Sequence, residues 1–178
     1  MDNIQAEKHG GSWWTDPRIS TFLMISTYVI GGAGIALGIY FLSSENVEKG
    51  LHYALPLMVG GVGVLAMIRH SIFHVSDAAR SGVKTEPFYM IELGFANGAI
   101  GILALLAFFA DWGVAAEAAI TLAFALYLVM AFFLFLARAR AGGLDGGKIA
   151  ALCMWVLQVG FMFYFAIAAI ASAGISSF

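Results

Sequence analysis

Residues 114–137 read VAAEAAITLAFALYLVMAFFLFLA, with Glu117 as their sole formal charge. A helix of that length rises about 36 Å, enough to cross a hydrocarbon core of about 30 Å. Four further apolar stretches long enough to span fall at 17–42, 51–79, 87–110 and 149–173. The reading is an all-α integral membrane protein: a polar tail over residues 1–16, then one domain, a bundle of five transmembrane helices.

Composition agrees. The 178 residues are 61% hydrophobic and 11% charged, where a soluble domain carries roughly a quarter charged residues. A soluble globular fold is excluded. Three prolines, a single cysteine (Cys153) and no polar low-complexity tract also exclude a collagen-like fibre, a disordered chain and a disulfide scaffold. The net charge of −2 argues against a nucleic-acid partner.

Local chemistry marks the boundaries. Asp16-Pro17 and Glu86-Pro87 each place an acidic side chain before a proline, which suits the cap and first turn of a helix. The glycine-rich run 142–147 reads as a loop, because each glycine costs a helix about 1 kcal/mol. The tail lacks the basic start and short apolar core of a cleaved signal peptide and is expected to be retained. Trp13 and Trp14 fall where amphipathic rings favour the membrane interface.

Basic residues set the expected orientation. Lys8, Arg18, Arg69, Arg80, Lys84, Arg138, Arg140 and Lys148 lie on one side of a five-span topology and only Lys49 on the other. The positive-inside rule then puts the N-terminus in the cytoplasm and the C-terminus outside, as for a multi-pass protein of a bacterial plasma (inner) membrane.

Several patterns do not carry their usual chemistry. Gly142 to Lys148 fits G-x-x-x-x-G-K, but Ile149 follows where Ser or Thr is needed, and a helix precedes it instead of a strand. Gly32-Ala33-Gly34 and Gly61-Val62-Gly63 lie mid-span with no strand before them. Gly34 with Gly38, and Gly94 with Gly98, are small-x-x-x-small pairs, so spans one, two and three are expected to pack most tightly. No H-E-x-x-H motif supports an intramembrane protease, and whether the chain is an enzyme stays open.

Ionisable residues inside spans are expensive and usually face protein. They are Arg69, His70, His74 and Asp77 on span two and Glu92 on span three, joined by Asn97, Gln158, Ser26 and Thr27. At 100° per residue His70, His74 and Asp77 share a face. Counting rises from the turn between spans two and three sets His74 level with Glu92 within about one turn. The polar groups therefore collect in the cytoplasmic half and suggest a pocket open to that side, while the outer rim offers only His52, Tyr53 and Tyr40.

His70 and His74 with Glu92 or Asp77 would form a two-His-one-carboxylate set suited to iron or zinc, for catalysis or as cargo. Haem ranks lower, because only span two carries intramembrane histidines and a homodimer would have to supply the second axial ligand. The same residues, with Arg69, Asn97 and Gln158, could instead form a proton relay in a small transporter. A third reading is a non-catalytic accessory subunit of a larger membrane complex, its polar layer fixing helix register. Glu92 is expected to meet the histidine face and Asn97 to sit in the close helix contact, since about 140° separates them. Gln158 reads as an interhelical hydrogen-bond partner, Cys153 as a small buried packing residue, Phe132, Phe133 and Phe135 as lipid-facing, and Pro56, which cannot donate to the His52 carbonyl, as the source of a kink or of an acceptor facing a cavity.

Overall fold

A computed structural model describes residues 13–43, 46–81, 86–141, 143 and 146–174. Among these residues every regular element is helical. A short 3-10 turn, Trp13–Thr15, leads into α1 (Pro17–Leu42). The second span runs through α2 (Val47–Leu55), a π-helical segment Pro56–Gly61, α3 (Val62–Met67) and a second π segment Ile68–Ile72, and α4 (His74–Ser81) continues beyond it. Then come α5 (Pro87–Phe109), α6 (Val114–Ala141) and α7 (Gly146–Ser172). Five helical stretches are long and apolar enough to cross a membrane, the second being Val47–Ile72. The tail before Trp13 and three residues of the expected 142–147 loop (142, 144 and 145) lie outside the described residues, while Gly146 and Gly147 open α7.

The predicted starts hold, by different means. The Asp16 carboxylate accepts from the Arg18 backbone N–H at 2.9 Å, with Pro17 in the first turn. Helix α5 also begins at its proline, but the Glu86 side chain makes no capping bond, so Pro87 alone sets that start.

Span two is the axis of the bundle. Half of its most apolar window is buried, against 22–33% for the other four stretches. Leu51, Ala54, Leu55, Met58 and Val59 are fully enclosed, and Phe124 of α6 and Met162 and Phe165 of α7 close the core around them. The outer surface is also apolar, with Phe22, Val29, Phe95, Phe109 and Met130 exposed, as for helices that face lipid.

Small residues let helix backbones approach closely, and in apolar helices such as these close packing is a main source of association. The glycines do this. A Cβ on Gly63 would stand 2.6 Å from the Asn97 carbonyl oxygen and 2.8 Å from the Gly101 Cα. Gly34 lies equally close to the Met58 backbone, and Gly94 and Gly98 abut Ser71 and Met67. Spans one, two and three thus form the tight contact the glycine pattern implies, while Gly38 faces Phe165 of α7.

Both π segments lie in span two, one beginning at Pro56 and one holding Arg69 and His70. Pro56 thus opens a π-helical segment, where a kink or a His52 carbonyl left facing a cavity was expected. The second segment ends at Phe73, whose φ of −104° and ψ of 28° interrupt the helix and whose N–H bonds the Ile68 carbonyl five residues back at 3.1 Å. π turns inside α-helices are frequent at functional sites.

Candidate functional site

Polar side chains gather at both ends of span two. At the Pro17 end Asp77 is 2% exposed and its Oδ1 accepts from Ser20 Oγ at 2.5 Å and from Arg80 Nη2 at 2.9 Å. Arg69 Nε stands 3.7 Å from the same oxygen. His70 Nδ1 is 2.9 Å from Asp77 Oδ2, at an angle that falls short of a hydrogen bond, and His70 Nε2 accepts from Arg69 Nη2 at 2.9 Å. Ser76 Oγ receives the Ser20 N–H at 3.1 Å and donates to the Asp16 carbonyl at 2.5 Å. These contacts clamp α4 onto the first turn of α1, and Trp13 and Trp14 stack beside Phe73.

Asp77 lies beyond the apolar stretch Val47–Ile72. Burial alone would raise its carboxyl pKa, but the His70 ring, the Arg69 guanidinium and the Ser20 hydroxyl outweigh burial and hold it well below the usual carboxylate range.

The predicted ligand set is only partly assembled here. His70 and Asp77 meet. His74 turns its Nδ1 to the Ser71 carbonyl at 2.8 Å, because the break at Phe73 interrupts the phase that would have aligned it with His70. Glu92 is exposed. The face of α5 that meets span two is the Gly94, Gly98 and Gly101 face, and Glu92 sits about 200° around the helix from Gly94.

The other polar residues also have definite places. Asn97 is 4% exposed and donates to Leu93 O and Tyr127 Oη, both at 2.8 Å, in the close helix contact expected of it. Gln158 packs against Gly31, yet its Nε2 is buried without a hydrogen-bond partner, where an interhelical bond was expected. Ser26 is half-buried and Thr27 bonds Leu23 O within its own helix. Cys153 is exposed, not buried. Of the three phenylalanines only Phe133 is fully outward, since Phe132 and Phe135 pack on Trp155 of α7.

The opposite end holds a grouping that the sequence reading passed over. His52 Nδ1 of α2 is 2.6 Å from Glu117 Oε1 in the first turn of α6, and Glu117 is 1% exposed. The carboxylate can only accept, so the imidazole donates. Asp111 joins them, with one donor atom from each of the three residues lying within 4.8 Å of the others. Among the described residues this is the sole group of three or more His, Cys, Asp or Glu side chains so placed.

Local structure explains the convergence. Asp111, two residues beyond α5, takes a left-handed conformation (φ 48°), which Asp tolerates better than most residues, and Gly113 (φ 84°) completes the reversal into α6. Glu117, one turn on, places its charge at a helix N-terminus, where carboxylates are favoured. Phe108 and Tyr53 stand against the His52 ring at centroid distances of 4.7 and 5.2 Å and fix its plane. The signal was available: His52 lies five residues after the start of α2 and Glu117 three after the start of α6, so the depth count applied at the turn between spans two and three would have set them level.

Donors on one tetrahedral ion with bonds of about 2.0 Å lie about 3.3 Å apart. The His52–Glu117 contact is shorter and would have to open by about 0.7 Å, with the Asp111 donor already within 4.8 Å of both. One imidazole and two carboxylates, with Asp111 exposed, suit zinc, iron or manganese with positions left for water or substrate.

Comparison with known protein families, characterised proteins and solved structures finds no match to this chain.

Proposed function

We propose that this chain is a five-span membrane protein that binds a divalent transition metal through His52, Glu117 and Asp111. The observation that carries the reading is the convergence of these three donors around a carboxylate that is 1% exposed. A metal there takes the place of the His52 Nδ1 proton between imidazole and carboxylate. With the N-terminus cytoplasmic, as the distribution of Lys and Arg supports, the site faces the outside of a bacterial-type plasma membrane. The exposed side of the site, at Asp111, leaves room for a cargo ion to enter or for a substrate to reach a catalytic one.

A second reading concerns the Asp77 end. His70 faces Asp77 through one ring nitrogen and accepts from Arg69 through the other, an arrangement that supports a structural clamp of the kind an accessory subunit would use to fix helix register, since a guanidinium does not release its proton. As a metal site this end is weaker, because Asp77 Oδ1 is already bonded by Ser20 and Arg80.

The test is equilibrium binding of Zn²⁺ and Co²⁺ to the full chain in detergent, with the cobalt spectrum reporting the ligands. Glu117→Gln and His52→Ala are expected to weaken binding at least about tenfold, or ~1.4 kcal/mol, while His70→Ala and His74→Ala leave it unchanged. Wild-type affinity in both His52→Ala and Glu117→Gln refutes the assignment. Loss in His70→Ala or His74→Ala moves the metal to the Asp77 end.

A further inference from the structure

The clamp at the Asp77 end holds more positive charge than negative. Among the described residues Asp77 is the sole carboxylate within ion-pair distance of Arg69 or Arg80, and both guanidiniums address the same oxygen, Oδ1. His70 does not alter the balance. Its Nε2 accepts from Arg69, whose guanidinium can only donate, so that nitrogen carries no proton and the imidazole is neutral. One net positive charge is left where the side chains of Arg69 and Arg80 are only 15% and 27% exposed. Charge so enclosed favours a counter-ion, because burial removes the water that would otherwise screen it.

The donors that would meet a counter-ion are identifiable. Arg80 spends Nε and Nη2 on Asp77, Ser20 and Ser81. Arg69 places Nη2 on His70, and its buried Nε, 3.7 Å from Asp77, makes no hydrogen bond. The Nη1 of each guanidinium is thus free of partners among the described residues, and neither Nη1 is enclosed by the fold. The two cations lie close enough to repel each other, so an anion that reaches either is attracted by both. Guanidinium forks match the oxygens of a phosphate better than any other side chain does.

Depth selects the source of that phosphate. Arg69 lies three residues before the end of the apolar stretch Val47–Ile72, and Arg80 lies beyond it in α4. Between them Phe73 packs on the stacked rings of Trp13 and Trp14, residues that favour the headgroup layer. The cluster therefore stands at the border of hydrocarbon and headgroups. A lipid phosphodiester carries one negative charge, which equals the positive charge left over. Basic pockets between membrane helices on the cytoplasmic side suit anionic headgroups, and the distribution of Lys and Arg supports that side for this end.

We propose that Arg69 and Arg80 hold a phosphate group, that of an anionic lipid in the adjoining leaflet, through the Nη1 donors that the Asp77 clamp leaves free. A zwitterionic headgroup brings its own ammonium, supplies no net charge and is held less tightly. The site lies at the opposite end of span two from His52 and does not depend on metal there.

The experiment titrates the full chain in mild detergent with phosphatidylglycerol and with phosphatidylcholine of the same acyl chains, counting bound lipids by native mass spectrometry, with inorganic phosphate as competitor. One phosphatidylglycerol per chain is expected, bound about fivefold or more tightly than phosphatidylcholine. Arg69→Gln and Arg80→Gln should each abolish that preference. Two further variants separate a binding role from a structural one. Ser20→Ala loosens the clamp without touching its charges and should keep the preference, and Asp77→Asn breaks the clamp while adding net positive charge and should keep or raise it. Displacement of the lipid by inorganic phosphate at comparable affinity would uphold the two-arginine site and assign it to a free anion. Equal retention of the two lipids without competition by phosphate, the wild-type preference in both arginine variants, or loss of preference in both Ser20→Ala and Asp77→Asn overturns the proposal.

Discussion

Gly63→Ala tests whether close backbone approach holds spans two and three together. The added Cβ would stand 2.6 Å from the Asn97 carbonyl oxygen, 2.8 Å from the Gly101 Cα and 3.0 Å from the Gly101 nitrogen. All three are backbone atoms of α5 and cannot swing away as a side-chain tip would. Ordinary carbon contacts lie at about 3.5–4.0 Å, so the helices must separate by about 1 Å along this line. Overpacking of this kind costs about 1–3 kcal/mol, and the separation also lengthens the neighbouring contacts at Gly60, Gly98 and Gly101. Against this, alanine is a better helix former than glycine by up to about 1 kcal/mol. Gly32→Ala isolates that gain, because its Cβ meets nothing. Both variants share that gain, so the expected gap between them is the overpacking cost alone, about 1–3 kcal/mol in favour of Gly32→Ala, measured by equilibrium unfolding in mixed micelles with increasing SDS. Equal stability of the two would refute close approach as the force joining α3 to α5.

Two further outcomes follow from the ends of the bundle. Because the folded pKa of Asp77 is lowered, its contribution is present above the unfolded value of about 3.9 and is lost as pH falls through the folded value. Unfolding measured across pH is therefore expected to show a decline below about pH 4 that Asp77→Asn lacks, and the variant should lose on the order of 3 kcal/mol at pH 7 by leaving Arg69 and Arg80 without their carboxylate; identical pH slopes would remove Asp77 from this role. Cys153 is exposed beside Leu152, Val156 and Leu157, so a membrane-permeant thiol reagent should modify it in intact vesicles while a charged one fails from either side. Labelling by the charged reagent would show that this face of α7 meets water.

Much of the fold was legible because hydropathy reports the length of an apolar helix directly, and five apolar runs long enough to cross a bilayer are five long helical stretches in the structure. Pro17 and Pro87 fixed two helix starts to the residue, and the Gly94 and Gly98 face announced the contact with span two. The site was less legible, for identifiable reasons. Placing His74 by a constant 100° step assumed an unbroken α-helix, and no residue type in Ile68–Phe73 announces a π turn. Glu92 was assigned to the histidine face although α5 offers span two a single face, which its glycines already occupy. His52, Asp111 and Glu117 span 65 residues from first to last, and His52 read as an isolated rim residue because only the α5–α6 reversal brings the two carboxylates to it.

The wide turn at Ile68–Ile72 has a mechanical consequence. Positions seven apart on a straight α-helix are separated by about 10.5 Å of rise, whereas an Asp and a His side chain together reach about 7 Å. Contact between His70 and Asp77 at 2.9 Å therefore requires a shortened path, which the π turn and the break at Phe73 supply. A π turn encloses one residue more than an α turn, so the chain carries a length of slack at this point. Drawing that slack in, by deleting one residue between Ile68 and Phe73, would turn everything beyond it by about 100° and carry Asp77 off Ser20, unlatching α4 from α1 while α2, and His52 with it, stays where it is.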